Sequence, residues 1–312
     1  MSTHSPLLWL AFNSFIVLLL IIDAFFLAPV NKQLSTRRAM ALTAFWVALA
    51  LLFNAVIYFW LGTKPALEFF TGYVIEQSLS IDNLFVFLLI FGHFKISGLH
   101  QRKILFWGIV GAQIMRAIFI LAGVALLNAF SWIVYIFGAL LIVCGFKLLT
   151  EQEKEIHPED SVVLKFVRKV IPVTNKDHDG KFFVVEAGKK MATLLFIVLV
   201  LVETTDLIFA LDSIPAILAI TKDPFIVYSS NIFAILGLRA MYFALASFMT
   251  RFHHLHYALG AILIFVGIKM IAEHHIHIPI YVALGFIVCA LAVSVVTSLM
   301  FPQQHKSKEP HA

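Results

Sequence analysis

Apolar stretches near 20 residues long alternate with short polar segments along almost the whole 312-residue chain. A helix needs roughly 20 such residues to cross the hydrocarbon core of a bilayer. Nine stretches approach that length: residues 7–28, 40–61, 67–92, 103–128, 131–150, 191–219, 225–248, 255–272 and 279–300. The pattern predicts an all-α polytopic membrane protein of about nine transmembrane helices. The first stretch lacks a basic leader and is too long for a signal peptide's apolar core, so it reads as an uncleaved span. Spans 1 to 5 fill residues 1–150 and spans 6 to 9 fill 191–301. The polar linker between them, 151–190, is expected in the cytoplasm, with an amphipathic piece around Val162 to Val170 at the membrane surface. Residues 302–312 form a polar tail, expected to be disordered.

Composition agrees with this picture. The chain is 61% hydrophobic and 13% charged, about half the charge of a soluble domain. Of its 23 Lys and Arg, all but Arg116 and Arg239 fall outside the spans or at their ends. With the N-terminus outside, only Lys64, Lys222 and Lys269 face outward, which is the positive-inside pattern and sets N-out, C-in. The net charge of +5 therefore reports topology, and nucleic acid is not an expected partner. Cys144 and Cys289 lie within spans and read as packing residues, with no disulfide framework.

The chain also repeats itself. "YIFGALLIVCGFKLL" from Tyr135 aligns without gaps on "YALGAILIFVGIKMI" from Tyr257, with 7 of 15 positions identical. "RAIFILAG" from Arg116 echoes "RAMYFALA" from Arg239, and Glu76 and Asp82 match Asp206 and Asp212. The copies cover spans 3–5 (67–150) and 6–8 (191–272). Each holds three spans, an odd number, so the two must cross the membrane in opposite senses. Inverted repeats point to a secondary transporter with its site near the midplane.

Seven charges fall well inside the spans, away from their ends: Glu76, Asp82, Glu203, Asp206, Asp212, Arg116 and Arg239. At roughly 2.5–3.5 kcal/mol each they cost on the order of 20 kcal/mol. Five acids against two arginines leave a deficit of positive charge that protons or a cation must fill. Glu76 and Asn83 share one helical stripe, as do Asp206 and Ser213, whereas Asp82 and Asp212 fall about 120° from their partners. All four acids can face one cavity only if the helices unwind or the cavity is wide. Pro215 cannot donate to the carbonyl of Leu211, so a helix break there would free an oxygen beside Asp212. Carboxylate, amide, hydroxyl and carbonyl groups suit Mg²⁺, Ca²⁺ or Mn²⁺ as the cation. No phosphate-binding loop is present to use ATP, so protons shared by the same carboxylates would supply coupling.

The segments "EQSLSIDNLFVF" (Glu76 to Phe87), "VETTDLIFALDSIPAILAITKDPFIVYSSNIFAILGLRAMYF" (Val202 to Phe243) and "KFFVVEAGKK" (Lys181 to Lys190) resemble the TerC family, especially its longer Alx-like branch. The resemblance runs from about Leu7 to Phe301. It implies a bacterial inner-membrane protein of the manganese-exporter kind, related to the LysE-like transporters, in a family also associated with tellurium resistance and alkaline pH. Carried over by position, the acidic motifs fall on Glu76, Asp82, Asn83, Glu203, Asp206, Asp212 and Ser213. Two departures stand out: Thr204–Thr205 replace the usual Ser before the Asp, and "KMATLLF" lacks a proline common at the start of span 6.

The expectation is export of a divalent cation, Mn²⁺ foremost, with no permanent cofactor. Glu76, Asp82, Asp206 and Asp212 would hold the metal, helped by Asn83, Ser213 and the Leu211 carbonyl. Glu203 would carry protons, and Arg116 and Arg239 would orient acids. An intramembrane protease is disfavoured, because the aspartates lack Gly-Asp contexts. A stress, redox or tellurium-resistance modulator acting through the 151–190 loop is the alternative. Asp23 and Glu68 read as interfacial, and the "HHLH" and "HHIH" runs (His253 to His256, His274 to His277) as solvated loops.

Overall fold

The computed structural model describes residues 5–27, 35–130, 132–150, 171–174, 180–186, 188–245, 255–272, 276 and 278–300. The amphipathic piece expected at Val162 to Val170, the C-terminal tail and the histidine runs, apart from the backbone of the last two residues of the first run, lie outside them.

The described chain is overwhelmingly helical. Helices α1 (Pro6–Ile22), α2 (Thr36–Leu61), α3 (Thr63–His93), α4 (Gly98–Ala129) and α5 (Ile133–Thr150) precede the linker. α6 (Leu194–Leu218), α7 (Pro224–Leu236), α8 (Leu238–Leu245), α9 (Leu255–Ala272) and α10 (Ile280–Met300) follow it. Seven of these are long and apolar enough to cross a bilayer, and α7 with α8, bent by 41° at Gly237, makes an eighth crossing if taken as one. At the position expected for a further span stands the shorter apolar helix α9. This is an all-α polytopic membrane protein.

Burial sorts the helices. Within its apolar window 56% of α3 is buried and 39% of α6, against 17% for α10. All residues of α7 from Phe225 to Leu236 are buried. The sequence sets where α7 starts: Asp223 caps it, accepting from the amides of Phe225 (2.8 Å) and Ile226 (3.3 Å), and Pro224 takes the first position, where no amide is needed. α3 packs on α6 and α7, and α4 packs on α6. The outer helices turn large side chains outward, as with Phe59, Val143, Ile118 and Val293. Such surface suits hydrocarbon.

The closest helix pair is α5 with α9. A Cβ built on Gly138 would lie 2.9 Å from the carbonyl oxygen of Gly267, and one on Gly145 would lie 2.6 Å from that of Gly260. The converse distances are 2.7 Å for Gly267 to the Gly138 oxygen and 2.8 Å for Gly260 to the Gly145 oxygen. Small residues let membrane helices approach at backbone distance, where dispersion rather than the hydrophobic effect holds them. The pairing runs antiparallel, since the lower number on one helix meets the higher on the other. In the sequence alignment Gly138 matches Gly260 and Gly145 matches Gly267, so the two contacts have the reciprocity of a twofold axis. Gly145→Val is expected to push the helices apart and to reduce folded protein recovered from membranes severalfold, as measured by size-exclusion chromatography. Phe146→Val, one position away on the exposed side of α5, is the control.

The linker contains an element the sequence reading did not anticipate. β1 (Phe183–Glu186) and β2 (Lys189–Ala192) pair antiparallel, Phe183 opposite Ala192 and Glu186 opposite Lys189. Gly188 has φ of 75° at the turn, a conformation that favours glycine. The charged segment hid a four-residue alternation. Lys103 fastens this region to α4 by donating to the Gly180 carbonyl at 2.6 Å and lying over the Phe182 ring.

Candidate functional site

Near the middle of α4, Arg116 is fully buried among polar groups from three other helices. One terminal nitrogen donates to Glu76 Oε1 on α3, to Asn231 Oδ1 on α7 at 3.2 Å and, at 3.5 Å, to Ser213 Oγ on α6. The other donates to Asp206 Oδ1 at 3.1 Å, while Nε donates to Asp206 Oδ2 at 3.4 Å. The guanidinium thus spans the two carboxylates, gripping Asp206 through both oxygens in the fork geometry that arginine favours. These two acids are the matched members of the sequence repeat.

Glu203 lies one turn before Asp206 on α6. Both line a cavity of about 20 Å³ between α3, α4, α6 and α7–α8, walled mostly by Phe87, Leu105, Ile109 and Leu238. That is room for about one water. The Glu203 carboxylate rests against α4 at Gly111, where a Cβ would lie 2.3 Å from Oε1. A side chain there would displace the carboxylate, the movable end of Glu203, from its present position. Glu203 Oε2 is buried without a hydrogen-bond partner, as is Nδ2 of Asn231, whose Oδ1 accepts from Arg116. Among the described residues three carboxylates share this region with one arginine, leaving a formal charge of −2.

The remaining expected residues are placed differently. Asp212 is half-buried against α5, where its Oδ1 accepts from the Cys144 thiol at 3.0 Å. It does not join the acids around Arg116. The reason is helical geometry: α6 runs unbroken through Pro215, so six residues still rotate the side chain by about 120°. The expected helix break is absent. Pro215 removes one rung, the bond to the Leu211 carbonyl, but the helix continues to Leu218 and the Pro215 carbonyl accepts from Ala219 at 3.0 Å. Leu211 is 46% exposed on the outside of α6. α3 is likewise continuous; Asn83 is buried on the Glu76 stripe, and the side chain of Asp82 lies outside the described residues. Among the described residues no three His, Cys, Asp or Glu side chains group so as to hold a metal ion.

Arg239 also departs from expectation. It pairs with the Asp23 carboxylate and donates to the Asp23 carbonyl at 3.1 Å. Asp23 is buried rather than solvated, in a π-helical turn (Asp23–Leu27) that ends α1. Glu68 is tied at one end of α3 by the Thr221 hydroxyl at 2.7 Å. Cys144 does more than fill space, since it holds Asp212. The residue that sequence reasoning missed is Asn231. An amide inside the apolar run "SSNIFAIL" was the available signal, because a buried amide needs a partner.

A family model described as integral membrane protein TerC family matches residues 61–306. An uncharacterized membrane protein of Myxococcus xanthus is 46% identical over 299 residues, covering 96% of this chain and 94% of the relative. The Escherichia coli K12 protein named "Putative membrane-bound redox modulator Alx" is 42% identical over 310 residues, covering 96% and 97% of the two chains. A Rickettsia bellii membrane protein is 40% identical over 292 residues, 94% of this chain and 97% of the relative. No solved structure matches. The chain belongs to the TerC family of integral membrane proteins.

Proposed function

We propose that the protein is a secondary transporter that exports a divalent cation, Mn²⁺ foremost, across the bacterial inner membrane in exchange for protons. The carrying observation is the surplus of carboxylates around Arg116: Glu76, Asp206 and Glu203 against one guanidinium, deep within the helices. Packing gives no reason to keep that imbalance, because each buried charge is costly and an unpaired one more so. Arg116 occupies the space between Glu76 and Asp206, so a cation reaches both only when the guanidinium gives them up. Asn231 and Ser213, which both face Arg116, add neutral oxygen ligands of the hard type that Mn²⁺ accepts. Glu203, beside the cavity, takes the proton.

The reciprocal glycine contacts of α5 and α9 support the inverted-repeat reading, in which two related halves rock about a midplane site. Expelling a divalent ion against about 100 mV costs roughly 2 × 2.3 kcal/mol, which an inward proton flow can supply. Transport, rather than catalysis, is the use of these acids. The test is cellular Mn, Mg and Ca content in cells with and without the protein, at two external pH values. The proposal expects Mn content to fall severalfold when the protein is present, with Mg and Ca unchanged. Unchanged Mn at both pH values would count against it.

A further inference from the structure

The second buried charge cluster is more revealing than its size suggests. Arg102, one turn into α4, has a relative exposure of 1%, and all three of its guanidinium nitrogens lack hydrogen-bond partners. The Phe243 ring on α8 lies 5.8 Å from its guanidinium carbon. Asp23, Arg239 and Arg38 lie within electrostatic reach of it. Asp23 meanwhile is already held by Arg239, whose guanidinium also lies over the Phe106 ring of α4. The connecting segments 28–34 and 246–254 carry no acid in their sequence, only Lys32 and Arg251 as charges. Among the described residues, two buried arginines therefore face one buried carboxylate.

An arginine left wholly unpartnered in a protein interior is expensive. It is retained at low cost only if it pairs in some other arrangement of the same helices. The geometry supplies one. Arg239 sits two residues beyond Gly237, where α7 bends by 41° into α8. Swinging α8 about that joint would draw Arg239 off Asp23, while Arg102 and Asp23 remain on α4 and α1. The π-helical turn carrying Asp23 is the kind of local irregularity found where helices must adjust. α7 meanwhile carries Asn231 to the Arg116 site on the near side of the same joint.

We propose that Asp23 is a counter-ion with two alternative partners, Arg239 in the arrangement described and Arg102 in a second one, and that the exchange permits α8 to swing about Gly237. The inference rests on the transporter reading for its purpose, since alternating access needs bistable elements, but not for its test. Arg102, Asp23 and Arg239 are positioning residues that stabilise each arrangement in turn.

The test is the effect of Arg102→Gln on thermal unfolding of the full-length protein in lipid nanodiscs, measured in two backgrounds. In the otherwise unaltered protein the substitution removes an unpartnered charge, so Tm stays the same or rises. In an Arg239→Gln background Arg102 has taken over Asp23, so the same substitution lowers Tm by about 3 °C or more. Adding Asp23→Asn to that background abolishes the drop. Arg239→Lys, which keeps the charge but loses the fork, serves as the background if Arg239→Gln does not fold; the drop is then smaller with the same sign. Equal shifts in both backgrounds, or no drop without Arg239, would overturn the proposal. The readout needs no cargo, so a protein without cation flux would refute the transporter reading while leaving this result to stand or fall separately.

Discussion

Arg116→Gln is expected to be the most damaging single change at the centre, costing about 3–5 kcal/mol of stability. The substitution leaves Glu76 and Asp206 facing each other with no cation, and both are more than nine-tenths buried. Gln can donate two hydrogen bonds but carries no charge, so repulsion between the acids is left unscreened. The companion variant Arg116→Gln with Glu76→Gln removes one of the two negative charges. It is expected to recover at least half the loss, because the cost lies in the uncompensated charge rather than in the vacated volume. Thermal unfolding of both variants in nanodiscs checks this. Equal losses in the single and double variants would assign the damage to packing.

The second large effect concerns transport and ranks the acids. Asp206→Asn is expected to lower Mn²⁺ efflux by roughly 10–100-fold, the equivalent of losing one charge-assisted interaction of about 1.5–3 kcal/mol. Asp212→Asn is expected to lower it less than threefold, because Asp212 bonds the Cys144 thiol on the α5 side of α6. The ranking follows from rotation about α6 alone. Both carboxylates stand in the same motif and cannot be told apart by residue type. Mn²⁺ uptake into inverted vesicles, which report cellular efflux, measures it for each variant at matched expression. A larger loss for Asp212→Asn than for Asp206→Asn would reverse the assignment.

Much of this architecture was legible because bilayer-spanning helices announce themselves by length, and each expected span has a helix, or the bent α7–α8 pair, at its position. The charges around Arg116 were legible for the same reason: a buried carboxylate stands out in an apolar run. What sequence could not supply was partner choice. Arg239 matches Arg116 in the alignment, yet it turns to Asp23 on α1, a helix outside the repeat. Pairing of that kind depends on which helix packs beside which, and side-chain periodicity carries no such information. The expected break at Pro215 failed for a different reason. A proline removes only its own bond to the carbonyl four residues back, here that of Leu211, and a helix packed along its length against α3 and α4 runs on through one missing rung. Asn231 was overlooked because attention went to charge, although a neutral amide at that depth is nearly as informative.

The central claim is that the acid-rich pocket at Arg116 is where a divalent cation passes. Purified protein in proteoliposomes, given a proton gradient and external ⁵⁴Mn²⁺, tests it most directly. The account predicts uptake that depends on the gradient and collapses in Glu76→Gln and in Asp206→Asn, while Asp212→Asn retains most of it. Gradient-driven uptake that survives both central substitutions in folded protein would contradict the account.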